Sequence, residues 1–132
     1  MASIFARIIQ REIPAHIVAE DENYIAFLDI QPLMKGHTLV VPKKEIDYIY
    51  DLDDATLSGL HVFSKKVASA IRQAIRCKRV AVVVLGLEVP HAHIHLIPMN
   101  RMQDANFSNE KLKLSAGEMT EISSSIRSYF QP

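Results

Sequence analysis

The run His91-Ala-His-Ile-His-Leu-Ile97, closed by Pro98, constrains the fold of this chain more than any other segment. Side chains on a β-strand alternate between faces. Strict alternation therefore predicts a fifth strand here, with all three imidazoles on one side and Ala92, Ile94 and Leu96 on the other. At a rise of about 3.3 Å per residue, same-face neighbours stand about 6–7 Å apart, so the rings can surround one small anion. These three are half of the six histidines in the chain. A single histidine on a strand is usually a satisfied core or surface residue, but three in alternation beside an apolar run point to chemistry.

The rest of the chain supplies partners for such a strand. Ser3 precedes Ile4, Phe5, Ile8 and Ile9, which share one helical face, and predicts a short capped helix ending before Pro14. His16–Glu20 and Tyr24–Leu28 are β-rich runs separated by the polar Asp21-Glu22-Asn23, a hairpin pattern. Asp29 to Gly36 reads as a loop, and Thr38–Val41 as a third strand stopped by Pro42. After Asp53 and Asp54, the residues Leu57, Leu60, Phe63, Val67, Ile71 and Ala74 recur at steps of three and four. Acids at the start of this long helix and Arg72 and Arg76 near its end suit the helix dipole. Arg79–Leu85 is short and β-branched and reads as a buried central strand. Asn100 to Lys113 is polar and without periodicity, as expected of a mobile connection. Ser115 and Glu118 form a capping box ahead of Met119, Ile122, Ile126 and Tyr129, predicting a C-terminal helix. Five strands and three helices without regular βαβ alternation argue for α+β with a mainly antiparallel sheet, in one domain over residues 1–132.

Composition removes several functional classes. Fifteen Lys+Arg balance fifteen Asp+Glu, so the broad field that draws proteins to nucleic acid or anionic membranes is missing. No apolar run approaches the roughly 18–20 residues of a membrane span. The single Cys77 excludes disulfide stapling and fits a reducing compartment, so a soluble cytoplasmic protein is expected.

Two chemistries remain for the histidine run. Three neutral imidazoles and a water can hold catalytic zinc, but ligands from one strand must bend to a common point, and no Asp, Glu or Cys lies in the run to complete the shell. The alternative is anion chemistry at a phosphoryl centre. An unperturbed pKa of about 6.5 lets imidazole act there as neutral nucleophile or cationic donor near neutral pH.

His91-Ala-His-Ile-His-Leu-Ile-Pro98 resembles the His-φ-His-φ-His-φ-φ signature (φ, hydrophobic) of the histidine triad, or HIT, family of nucleotide hydrolases and transferases. Phe5–Ile9, Glu12–Ala15, Phe27–Ile30 and Gly36–Pro42 stand in that family's order and spacing, so the resemblance spans roughly Ser3 to Met99 and leaves about 100–132 outside it. It implies a HIT-like fold and a two-step displacement. His93, the middle histidine, would attack the α-phosphorus of a nucleotide, and water or another acceptor would resolve the nucleotidyl-histidine. His91 and His95 would flank the phosphate. His37 matches a fourth family histidine near it, and Asp29 a carboxylate on the ribose hydroxyls; from the residues alone these are a loop-end histidine and a turn-forming aspartate. Ile8, Phe27 and Ile30 match base-pocket positions, although their spacing alone makes them core residues. No metal or other cofactor is implied, and homodimers formed through the long helix and adjacent strand are.

Two departures accompany the match. Relatives that bind structural zinc carry Cys-x-x-Cys where this chain has Ser3 and Ala6. Relatives often have a Gly-rich loop and a Gly-Gln-Ser/Thr/Glu-Val run before the triad, where this chain has the shorter Val84-Leu-Gly-Leu-Glu-Val-Pro90. Leu87 replaces the glutamine, while Gly86, Glu88 and Val89 remain, and the amides of Glu88 and Val89 are candidate phosphate donors. The expectation is a purine-nucleotide (AMP- or GMP-like) hydrolase of the phosphoramidase type. Its alternatives are hydrolysis of diadenosine polyphosphates, a non-catalytic nucleotide-binding regulatory module, and a metal-dependent hydrolase.

Overall fold

The computed structural model describes residues 2–132. Helix α1 (Ile4–Ile9) is followed by strands β1 (Ile17–Glu20), β2 (Tyr24–Leu28) and β3 (Thr38–Pro42), the long helix α2 (Asp54–Ala74), strands β4 (Arg79–Val83) and β5 (Ile94–Met99), and helix α3 (Ala116–Tyr129). The five strands form one antiparallel sheet in the order β1-β2-β3-β5-β4, as the α+β reading requires. The Ser3 side chain caps α1, and Ser115 with Glu118 closes the capping box of α3. No described helix is long and apolar enough to cross a membrane.

Strands β2 and β3 are covered on both faces, which explains why every one of their residues is buried. One face carries Ala26, Leu28, Val40, Ile94 and Leu96 against Leu60, Phe63, Val67 and Ile71 of α2 and Met119 and Ile126 of α3. The other carries Ile25, Phe27, Leu39 and Val41 against Phe5 and Ile8 of α1. His95 pairs across from Leu39, so it rises on the α1 face, where the short helix leaves the sheet end uncovered.

Helix α2 approaches the sheet closely at Gly59. A methyl group there would overlap the Tyr24 hydroxyl. Tyr24 cannot retreat easily, because it donates to the Thr56 carbonyl at 2.9 Å and stacks on Phe63 at 5.6 Å. Alanine normally favours a helix over glycine by about 1 kcal/mol. Gly59→Ala should instead destabilise this protein by about 1–3 kcal/mol, as overpacking does. Urea unfolding of the variant checks this, with no loss expected if Tyr24 swings aside.

Three expectations are corrected. The segment Arg79–Leu85 is an edge strand, not a central one: it ends at Val83, pairs only with β5, and leaves Val82 59% exposed. Its apolar run resembles that of a buried strand because one face packs on α2 while the other stays open. Strand β5 begins at Ile94 rather than His91, because its ladders with β3 and β4 stop at Ile94 and His95. Beyond them the Ala92 amide donates instead to the Ile46 carbonyl at 2.7 Å. Lastly, Asn100 to Lys113 is a tied-down segment. A 3₁₀ turn at Met102–Ala105 is held by Asp104, which accepts from the Asn100 and Arg101 amides, and the Leu112 amide donates to the Pro32 carbonyl at 2.8 Å.

Candidate active site

Alternation places Ala92, Ile94 and Leu96 in the α2-side core and the three imidazoles on the α1 side. The rings do not, however, face one anion together. His93 and His95 stand 5.0 Å apart between ring centroids and line a cavity of about 230 Å³ with Leu85, Leu87, Glu88 and Phe107. His93 also borders a cavity of about 410 Å³ lined by Asp47, Tyr48, Tyr50 and His61 among others. His91 is fully buried, and both of its ring nitrogens are engaged by the protein.

The hydrogen bonds dictate how each ring carries its proton. A backbone carbonyl can only accept and a backbone amide can only donate. His93 Nδ1 lies 2.7 Å from the His91 carbonyl, so Nδ1 holds the hydrogen and the neutral ring keeps its lone pair on Nε2. His91 Nε2 donates to the Pro42 carbonyl at 2.8 Å, which leaves Nδ1 to accept from the Ser3 hydroxyl at 2.9 Å. The Leu33 amide donates to His37 Nδ1 at 3.0 Å, so His37 carries its hydrogen on Nε2 and gives it to His95 Nδ1, also at 3.0 Å. His95 is thereby left with an N–H on Nε2. Two backbone groups, the His91 carbonyl and the Leu33 amide acting through His37, thus set a bare lone pair on His93 beside an N–H donor on His95.

Burial keeps the supporting rings neutral. Desolvation, with His95 and Lys111 as further causes, lowers His37 to about 3. Desolvation and then His93 lower His95 to about 4. Burial also lowers His91, against the opposing pull of the Pro42 carbonyl and Glu45. Asp29 moves the other way, its carboxyl raised chiefly by burial.

Asp29 forms the turn expected of it and also approaches His37. One oxygen accepts from the Gln31 amide at 2.9 Å, making the turn, while the other lies 3.6 Å from His37 Nε2. The other expected binding residues are scattered. Ile8 and Phe27 are core members of the α1-side cluster, and Val89 packs against it half-buried. Ile30 is 75% exposed, and Glu88 is exposed at the rim of the smaller cavity.

Asp29, His37 and His95 bring one ligand atom each within 4.8 Å and are the described residues that could gather round a cation. The tautomer argues against that use. A metal on His37 Nε2 would displace its hydrogen to Nδ1, directly facing the Leu33 N–H. The site therefore suits hydrogen bonding to an anion better than metal ligation.

Phe107 and Phe5 were not legible as site residues. Phe107 stands edge-on to His95 at 4.9 Å and to His37 at 6.2 Å, and Lys111 lies 5.9 Å over its ring. Phe5 meets His93 at 4.9 Å. Nothing in the irregular composition of 100–113 marks Phe107, whereas Phe5 lay within a recognised apolar face. A further concavity of about 630 Å³ lies elsewhere, between α2 and β4, bordered by Lys65, Arg72 and Arg79.

Comparison with known proteins agrees with this geometry. The family model described as the HIT domain matches residues 10–102. An uncharacterized HIT-like protein of Borreliella burgdorferi is 34% identical over 131 residues, covering 93% of this chain and 94% of that protein. The adenosine 5'-monophosphoramidase HNT1 of Saccharomyces cerevisiae is 36% identical over 98 residues, 74% of this chain and 62% of that protein. Among solved structures, a HIT-like protein from Bartonella henselae, described as involved in cell-cycle regulation, superposes with a TM-score of 0.84 at 32% identity, covering 97% of this chain and 96% of that one.

Proposed function

The chain belongs to the histidine triad (HIT) family, and from that premise we propose that it is a nucleotide hydrolase of the phosphoramidase type acting through His93. The observation that carries the proposal is the pairing of a bare Nε2 on His93 with an Nε2–H on His95 at the mouth of one cavity. Similarity to the yeast adenosine 5'-monophosphoramidase supports the choice of substrate class.

In the first step the His93 Nε2 lone pair forms a bond to the α-phosphorus of a nucleoside phosphoramidate, an AMP- or GMP-like purine nucleotide. The bond from phosphorus to the substituent nitrogen breaks, and that nitrogen leaves with the electron pair and takes up a proton. His95 Nε2–H supplies a hydrogen bond to the phosphoryl group, and the proton taken up by the leaving amine comes from solvent. The charge gained by the His93 ring is met by its Nδ1–H donating to the His91 carbonyl. In the second step water attacks phosphorus, the histidine–phosphorus bond breaks, and the nucleoside monophosphate is released. Splitting one displacement into two lowers each barrier.

The amides of Glu88 and Val89 have no partner within the protein among the described residues and serve as phosphate donors. Asp29 accepts from the ribose hydroxyls through the oxygen not used in its turn. Ile8, Phe27 and Ile30 are assigned to the base side on the family pattern. Residues 1–132 act as one HIT domain in the cytoplasm. Two copies pair through α2 and the open edge of β4, whose exposed Val82 and unpaired ladder favour such an arrangement.

Rapid alkaline quenching with labelled adenosine 5'-phosphoramidate tests the reading, because a phosphorus–nitrogen bond to histidine survives base and hydrolyses in acid. A nucleotidyl group on the peptide carrying His93 is expected; turnover without any labelled histidine would exclude this mechanism.

A further inference from the structure

We infer that Ser3 is a positioning residue for the nucleophile: its hydroxyl holds His91, and the His91 carbonyl holds the tautomer of His93. The inference rests on the assignment of His93 made above, but its structural part stands without it.

The chain of contacts is short and buried throughout. Ser3, His91 and His93 are each less than a tenth exposed. The Ser3 oxygen accepts from the Ala6 amide at 3.0 Å, which is the α1 cap. That bond occupies the oxygen on one side and directs the hydroxyl hydrogen to His91 Nδ1 at 2.9 Å. The backbone amide of Ser3 is separately fixed on Glu45 at 2.6 Å. His91 Nε2 is committed to the Pro42 carbonyl, so the Ser3 hydroxyl is the donor that meets Nδ1. The carbonyl of that same His91 accepts from His93 Nδ1–H at 2.7 Å.

Removing the hydroxyl leaves an acceptor buried without a partner, a state that proteins relieve by rotation or protonation. Either response disturbs the one residue whose carbonyl selects the His93 tautomer. Phe5 follows on the same helix and packs edge-on against both His91 and His93. Phe5 thus touches both rings while Ser3 holds His91.

Alanine would remove the cap as well as the hydrogen bond, so Ser3→Gly is the informative change, since glycine serves as an N-cap almost as well as serine. Ser3→Thr keeps both functions. The full chain and both variants would be compared by nitrogen-15 spectra of the imidazoles, and by kcat and KM with adenosine 5'-phosphoramidate. In Ser3→Gly, His93 should lose its exclusive Nδ1–H form, and kcat should fall about 10-fold or more, less than the roughly 10²-fold and upward of losing a catalytic group outright, with KM little changed. Ser3→Thr should restore both. A Ser3→Gly protein with the wild-type His93 tautomer overturns the inference, as does an unaltered kcat. If the wild type itself does not turn over phosphoramidate, the proposed function fails, and the spectra alone decide the role of Ser3.

Discussion

Replacing His93 with alanine is expected to lower turnover of a nucleoside phosphoramidate by about 10⁴-fold or more while AMP still binds. Loss of a nucleophile removes the covalent route altogether, and such changes are among the costliest in enzymes that use one. Binding should survive because His93 supplies only one of the contacts around the phosphate; His37, His95 and the hydrogen bonds between them do not pass through its ring. Isothermal titration with AMP beside steady-state kinetics separates the two quantities. Comparable kcat in the variant would rule out His93 as nucleophile, and loss of AMP binding with it would make His93 a binding residue first.

Acid lability is the second large effect. In the unfolded chain an imidazole ionises near 6.5, but in the fold His37 is lowered to about 3 and His95 to about 4, and His91 is lowered by burial. Below 6.5 the unfolded state therefore binds protons that the native state refuses. Stability is full above that value and is lost as pH falls toward the native values, by about 1.4 kcal/mol per histidine for each pH unit. His37 and His95 together remove about 3 kcal/mol between pH 6.5 and 5, with His91 acting in the same direction, against a typical total of about 5–15 kcal/mol. Asp29, raised by burial, acts in the opposite sense as pH falls through its raised native value. Urea midpoints should fall steeply from pH 7 to 5. A flat profile would mean that these rings are charged in the native protein, contrary to the tautomers described.

Local and periodic features were legible in the sequence. Helix α2 follows from its three-and-four spacing, α3 from the Ser115–Glu118 box, and the β1–β2 hairpin from its polar tripeptide. His37 was matched to a family histidine near the phosphate only through resemblance, and from the residues alone it read as a loop-end histidine; in the fold its ring contacts His95. Features that depend on distant partners were not legible. Whether Val80–Val83 lies at the edge or the middle is decided by strand order, which local hydropathy does not encode. The shortening of β5 is decided by the lengths of its neighbours. His91 reads as one of three equal histidines until Ser3 and Pro42 are brought to it from far along the chain.

The family match ends at residue 102, yet Phe107 leans on two of the site's histidines and Leu112 is tied to Pro32. The tail and the triad are consequently one transplantable unit. A chimera that kept the matched domain and borrowed another relative's ending would exchange a wall of the reaction chamber along with it.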